Sequence, residues 1–300
     1  MYRNVKIIVI ISTMDEGLRG VPQVMLPEEE GVKYVVVWQR TNKVEEPTPN
    51  PSPERGVVVE SFFKREASQS AERNDTAERG DVVVETMEGK GLCRSRNRGI
   101  EVALGLLTDP LEDAVFVIAD DDERLEPGAF QQLRRIYQEN TKLDVALMRV
   151  KTEDGWLKRY PAVKTDFRKK ERWYYPSSVE MTFRSRVAVM GLRFDERFGL
   201  GSERLCAGEE EVFLGEAVKK GLRVEIVPEA LATTSDQTTG RRVLDVKVLR
   251  SKGAVYGYQL PLWRALLRSL REAVSLAVRN KTRLMPIFRN IWYGVKYIRS

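Results

Sequence analysis

Residues 115–130, VFVIADDDERLEPGAF, carry an apolar run straight into Asp120, Asp121, Asp122 and Glu123. Neighbouring carboxylates repel, and burying any one of them is costly unless a positive group compensates. Two arrangements tolerate such a run: a solvated acidic turn, or a site for a divalent cation. Aspartates spaced i and i+2 on a turn can aim oxygen at one Mg²⁺ or Mn²⁺, a hard ion that prefers carboxylate and phosphate ligands. Asp120 and Asp122 form that pair.

A second block, GKGLCRSRNRGIEVALG at 89–105, opens a predicted helix with glycines, followed by Arg94, Arg96, Asn97 and Arg98. Cations and free backbone amides at a helix start form an anion site; an exposed basic helix face is the plainer alternative. A third block, 198–228, places a glycine-rich loop before Glu209, Glu210 and Glu211, then an amphipathic helix and a short strand. The helix dipole favours glutamates there in any case. A cation-binding turn beside a basic helix start suits a diphosphate.

The composition narrows the chemistry. The 300 residues contain no histidine, which excludes a Ser-His-Asp triad, a histidine base and histidine-ligated zinc. Cys93 and Cys206 make no disulfide framework, so a reducing, cytoplasmic setting is expected. The opening MYRNVKIIVIIST reads as a first strand and not as a leader, and no run is long enough to span a membrane. Residues 260–300 hold nine Lys/Arg and one acid, Glu272, a balance of +8 within a net charge of +6. The rest of the chain is slightly acidic, so no nucleic-acid surface is expected on the body.

The elements that must position these groups alternate. Strand-like Val/Ile runs fall at 5–11, 34–39, 57–62, 82–85, 115–119 and 145–150, with helix-like stretches at 94–107 and 127–138. Such runs suit strands buried on both faces of a largely parallel sheet, and the alternation is α/β. In open α/β sheets ligands gather outside the carboxyl ends of strands, where Asp120–Asp122 lie. Residues 45–80, rich in proline and charge, read as a loop-rich insertion. Beyond 150 come a strand near 177–185 and a helix at 209–220.

In this order and spacing the three blocks resemble the family 2 glycosyltransferases of the GT-A fold, over most of residues 5–230. CRSRN matches the Arg-Asn pair that opens a helix, Asp120 and Asp122 match the Asp-x-Asp motif, and GEEEVFL matches the block that carries the catalytic base. The resemblance is to bacterial branches of the polysaccharide type. It implies a Rossmann-like GT-A domain over 1–240, with a mixed, largely parallel sheet flanked by helices; the charge balance and spacing beyond it read as a basic amphipathic helical tail over 241–300. It further implies an inverting transferase acting on a nucleoside diphosphate-sugar, UDP-linked in the first instance. Glu210 falls on the base; Arg96, Asn97, Asp120 and Asp121 fall on the nucleotide-sugar site; Asp120 and Asp122 fall on the Mn²⁺ or Mg²⁺ site. Two departures stand out. Gln39 and Asn42 replace the usual base-reading aspartate after the second strand. The downstream metal-side histidine is absent, with only Thr, Ser and Asp236 in VPEALATTSDQTTG.

The implied acceptor is a glycan or lipid-linked saccharide; the aromatic-basic stretch RKKERWYYP at 168–176 reads either as its frame or as a surface strand edge. Rival readings are a sugar-nucleotide pyrophosphorylase, for which STMDEGLRGVP is a poor phosphate loop, and a non-catalytic binding module of a membrane-associated complex. In the tail, Arg264, Arg268 and Arg271 recur at helical spacing, as do Leu262, Leu266, Leu270 and Ala273; residues 286–300 repeat the pattern with Phe288, Trp292 and Tyr293. This predicts helices lying on an anionic membrane surface, the inner face of the plasma membrane. The alternative is that they pack on the catalytic body.

Overall fold

The computed structural model describes residues 5–41, 80–109, 112–235 and 243–300. The expected strand at 57–62, nearly all of the 45–80 insertion, Asn42 and Asp236 lie outside the described residues.

Among the described residues, ten strands form one mixed sheet: β1 (Lys6–Met14), β2 (Val32–Arg40), β3 (Val82–Glu88), β4 (Ala114–Asp120), β5 (Arg124–Leu125), β6 (Val145–Thr152), β7 (Gly155–Trp156), β8 (Thr165–Asp166), β9 (Met181–Arg184) and β10 (Val224–Thr233). Their order is β3-β2-β1-β4-β9-β6-β10-β5, with β7 on β6 and β8 on β10. The pairs among β1, β2, β3 and β4 are parallel, as is β6 with β10; β9 runs antiparallel between β4 and β6. The sheet is therefore largely parallel, and it is flanked by helices on both faces.

Strand side chains alternate between two apolar layers, as a period of two requires. Ile8, Ile10, Val35, Val37, Phe116 and Ile118 enter one layer; Ile7, Val9, Ile11, Val36, Val115 and Val117 enter the other. The first layer is closed by α2 (Leu92–Gly105), α4 (Ser185–Val189) and α5 (Glu209–Lys219). The second is closed by the short α1 (Val21–Val24) and by α3 (Ala129–Glu139). In α3 the buried Phe130, Leu133, Ile136 and Tyr137 repeat at three- and four-residue spacing, one apolar stripe of an amphipathic helix.

Two boundaries differ from the sequence reading. Pro127 does not open α3: Pro127 and Gly128 (φ 81°) occupy a tight turn closed by the Ala129 N–H donating to the Glu126 carbonyl at 2.9 Å. A proline followed by a residue at positive φ suits a type II turn, which displaces the helix start by two residues. β10 is longer than expected and passes through Pro228, with register shifts between Ile226 and Ala230; proline has no N–H to give to the ladder.

The tail is three helices: α6 (Val246–Gln259), α7 (Leu262–Arg279) and α8 (Leu284–Arg299). α8 is not a free amphipathic helix. Its Ile298 joins Ala254 and Val255 of α6 and Phe198, Leu205 and Val212 of the body in one cluster, while Ile287 and Ile291 join Leu249, Ala273 and Leu276 in another. A Cβ on Gly253 would overlap the Ile291 carbonyl, and one on Gly294 would overlap the Arg250 carbonyl. α6 and α8 thus meet backbone to backbone through glycines, the close approach that small residues permit. No described helix is long and apolar enough to cross a membrane.

Candidate active site

The chain runs from β1 outward to β2 and β3, then returns to place β4 on the other side of β1. That reversal opens a crevice at the strand ends, where open α/β sheets take ligands. Ser12 of β1 lies opposite Asp120 of β4 at this point.

The turn after β4 sends its four carboxylates four ways, which is how the chain tolerates them. Asp120 accepts from Arg96 Nη2 at 2.9 and 3.3 Å. Asp121 turns under the segment 15–20 and accepts from Thr13 Oγ1 at 2.5 Å. Gly17 and Gly20 leave it room, since a Cβ on either would overlap Asp121. Asp122 is exposed and accepts from Ser235 Oγ at 2.6 Å. Glu123 is buried and accepts from the Asp120 N–H at 3.1 Å. Burial, followed by the Asp120 charge, pushes the Glu123 carboxyl well above its ordinary range. Burial also raises Asp121.

Arg96 ties the site together. It lies on the face of α2 shared by Ile100 and Ala103 and has no exposed surface. Besides Asp120, its guanidinium donates to Ser178 Oγ at 2.7 Å and to Glu209 Oε1 at 3.4 Å. Ser178 in turn donates its backbone N–H to Glu210 Oε1 at 3.1 Å. A guanidinium presents five donors in a fixed fork, so one side chain can hold all these groups at once. Buried as it is, the side chain reaches the crevice through Asp120 and Ser178.

Asn97 is likewise committed inward. Its side chain donates to the Phe194 carbonyl at 2.9 Å and to Glu196 at 3.1 Å, and accepts from the Phe194 N–H at 2.8 Å. It clamps the loop that leads to α5. Gln39, at the end of β2, is buried with no partner for Oε1 among the described residues. The glycine-rich loop 199–208 is held: Leu92 N–H donates to the Leu200 carbonyl at 2.9 Å, and Gly199 lets the chain pass close to Cys93 and Glu209.

The three glutamates opening α5 separate by environment. Glu209 is buried beside Arg96, with Oε2 unpartnered among the described residues, and burial with the Glu210 charge pushes its carboxyl up to about 8. Glu210 is partly open. Glu211 is raised by burial, with Lys170 opposing. Of the stretch 168–176, Tyr175 is exposed, whereas Tyr174 is buried against Glu180.

Sequence reasoning passed over Ser178, Thr13 and the distinct role of Glu209, and met Ser235 only within the segment that lacks the histidine. Ser178 and Thr13 carry no local signal, because their partners lie 32 to 108 residues away.

Comparison with known proteins follows from this geometry. No protein-family model matches the chain, and no curated protein does. Among solved structures, the crystal structure of S. aureus TarS is similar with a TM-score of 0.54 at 14% identity, over 96% of this chain and 55% of TarS. The likeness is one of fold. This chain spans about half the length of that protein. A 4-diphosphocytidyl-2C-methyl-D-erythritol synthase from Anaerococcus prevotii aligns at a TM-score of 0.38 and 12% identity, over 76% of this chain and 88% of the synthase.

Asp120 and Asp122 are the carboxylates of the turn that a hard cation would draw on; Arg96 is the buried cation paired with Asp120, and Ser235 donates to Asp122. No group of three or more His, Cys, Asp or Glu is placed to hold a metal among the described residues. One or two carboxylates, completed by substrate phosphate and water, is how Mg²⁺ is usually bound in phosphate-handling enzymes.

Proposed function

We propose that the chain is an inverting glycosyltransferase. It moves a sugar from a nucleoside diphosphate-sugar, UDP-linked in the first instance, to a hydroxyl of a glycan or lipid-linked saccharide. The observation that carries this reading is the placement of Glu210: partly open at the start of α5, fixed by Ser178, and joined through Arg96 to Asp120 at the switch point of the sheet. The ordered motifs support the family, and the fold likeness to TarS is consistent with the architecture such an enzyme needs.

In this reading Glu210 takes the proton of the acceptor hydroxyl as its oxygen attacks the anomeric carbon from the face opposite the diphosphate. The bond to the diphosphate breaks, and its electron pair leaves on the phosphate oxygen. Asp122, with Asp120, would hold Mn²⁺ or Mg²⁺, which when bound supplies Lewis-acid stabilisation of the departing charge. Asp121 shapes the floor of the donor site beside Thr13, and Gln39 lines its base end. Glu209, whose charged form is disfavoured by burial and by Glu210, stays beside Glu210 at the start of α5.

The test is Glu210→Gln, which keeps shape and removes basicity. Turnover of a UDP-sugar should fall about 10²-fold or more, while UDP with Mn²⁺ still raises the melting temperature as in the wild type. Activity within a few-fold of wild type would overturn the assignment.

A further inference from the structure

α7 divides into three sectors. Ala265, Ser269, Ala273 and Leu276 are buried, with Ala273 and Leu276 packed on Leu249 of α6 and on Ile287 and Ile291 of α8. These are mostly small, so the helix sits close. Its large apolar side chains point the other way: Trp263, Leu266, Leu267, Leu270, Val274 and Val278 recur at helical spacing on the outer surface. Trp263 is 60%, Leu267 59% and Val278 72% exposed. Arg264, Arg271 and Arg279 are exposed along the edge of that sector, and Lys281 and Arg283 continue the line into the turn before α8. A surface helix ordinarily turns its large apolar residues inward. Six of them in one outward stripe are a contiguous patch, not scattered surface residues.

We propose that this face of α7 docks the protein on an anionic lipid surface, the helix lying flat in the headgroup layer. An apolar sector bordered by cations is what such a helix presents, with Trp263 suited to the interface. A second copy of the chain fits the same face poorly. Twofold pairing sets a patch against itself, and so sets this arginine edge against its own image. The one acid of α7, Glu272, is already paired with Lys252 at 2.6 Å and offers no compensation. An anionic leaflet satisfies both sectors at once. α8, which the sequence pattern also assigned to the membrane, is packed on α6 instead, so α7 alone supplies the docking face.

The position of α7 gives the docking a use, which rests on the transferase reading. Arg268 of α7 lies over the Tyr256 ring of α6 at 5.5 Å, and Gln259 at the end of α6 donates to the Glu211 carbonyl at 2.7 Å. Through α6, α7 is thus linked to the first turn of α5, which carries Glu210. A docked protein holds that end of the crevice near the bilayer, as an acceptor anchored in lipid requires.

Co-sedimentation of the full chain tests the docking without donor or acceptor. It should pellet with phosphatidylglycerol/phosphatidylcholine vesicles at low salt, be released by high salt, and bind pure phosphatidylcholine vesicles weakly. Leu267→Glu with Leu270→Glu should lower the vesicle-bound fraction about tenfold or more, with the melting temperature kept because both side chains are exposed. The proposal is overturned if the wild type stays in the supernatant, if it binds neutral vesicles equally, or if the double variant binds unchanged. It is overturned too if sedimentation equilibrium shows a dimer that the double variant abolishes, with no vesicle binding. Because no turnover is measured, failure here leaves the Glu210 assignment standing, and failure of Glu210→Gln leaves the docking standing.

Discussion

Replacing Arg96 by methionine separates a structural tie from a ligand contact. The guanidinium is fully buried and donates to Asp120 at 2.9 and 3.3 Å, to Ser178 at 2.7 Å and to Glu209 at 3.4 Å. Removing one partner of a buried ion pair costs about 3–5 kcal/mol, because the other charge is left uncompensated. Two features place this case at the lower end. The Asp120 side chain is 28% exposed and can regain water. Burial and the Glu210 charge push the Glu209 carboxyl up to about 8, so its protonated form is favoured and a second charge left behind is weakened. The expected loss is about 3 kcal/mol, read as a lower denaturant midpoint at pH 7 with an unchanged slope. Arg96→Lys keeps the charge but not the fork, and should lose about half as much. Both variants should also lose turnover, since the Ser178 that fixes Glu210 loses its own anchor. If Arg96→Met unfolds within about 0.5 kcal/mol of wild type, as an ordinary surface change does, the tie is not structural and the reasoning fails.

Glu209→Gln should show the opposite sign and a pH signature. The folded carboxyl is raised to about 8 from an ordinary 4.5, so the wild type gains stability below pH 4.5 and loses it as pH climbs to 8. The variant should therefore melt higher than wild type at pH 8, with the gap closing toward pH 5; a pH-independent destabilisation would mean Glu209 is an ionised partner of Arg96. Gly294→Ala would drive a Cβ onto the Arg250 carbonyl and to 2.7 Å from the Ala254 nitrogen, main-chain atoms that no rotamer change can move. A loss of about 1–3 kcal/mol is expected in a thermal melt, whereas Gly105→Ala, with nothing within 4 Å, should be neutral or better. Equal melting temperatures for the two variants would refute the close helix contact.

What the sequence made legible follows from what burial does to composition. β1, β4 and β6 are covered on both faces, so their Val/Ile runs stand out. α6 does not: Gly253 and Gly257 lower its helix propensity, and its buried Val248, Leu249, Ala254 and Val255 wrap too far round the helix for a clear stripe. The acidic turn was visible as a cluster, but its division into four environments depends on Thr13, Ser235 and Arg96, all distant in sequence. Arg96 itself was readable. It shares the inward face of Ile100 and Ala103 at three- and four-residue spacing, a periodicity that outweighs its charge once a carboxylate waits inside.

The glycine contact between α6 and α8 also has a mechanical meaning. Where main chains touch, no side chain can change rotamer to absorb a displacement, so the two helices behave as one stiff body. That body bears on the first turn of α5: Gly208 leaves room for Val255, where a Cβ would lie 2.7 Å from its methyl, and Gln259 donates to the Glu211 carbonyl at 2.7 Å. A tilt of the helical layer is therefore transmitted as a lever stroke to the turn that carries Glu209 and Glu210, and the stiffness of that linkage sets how little motion is lost on the way.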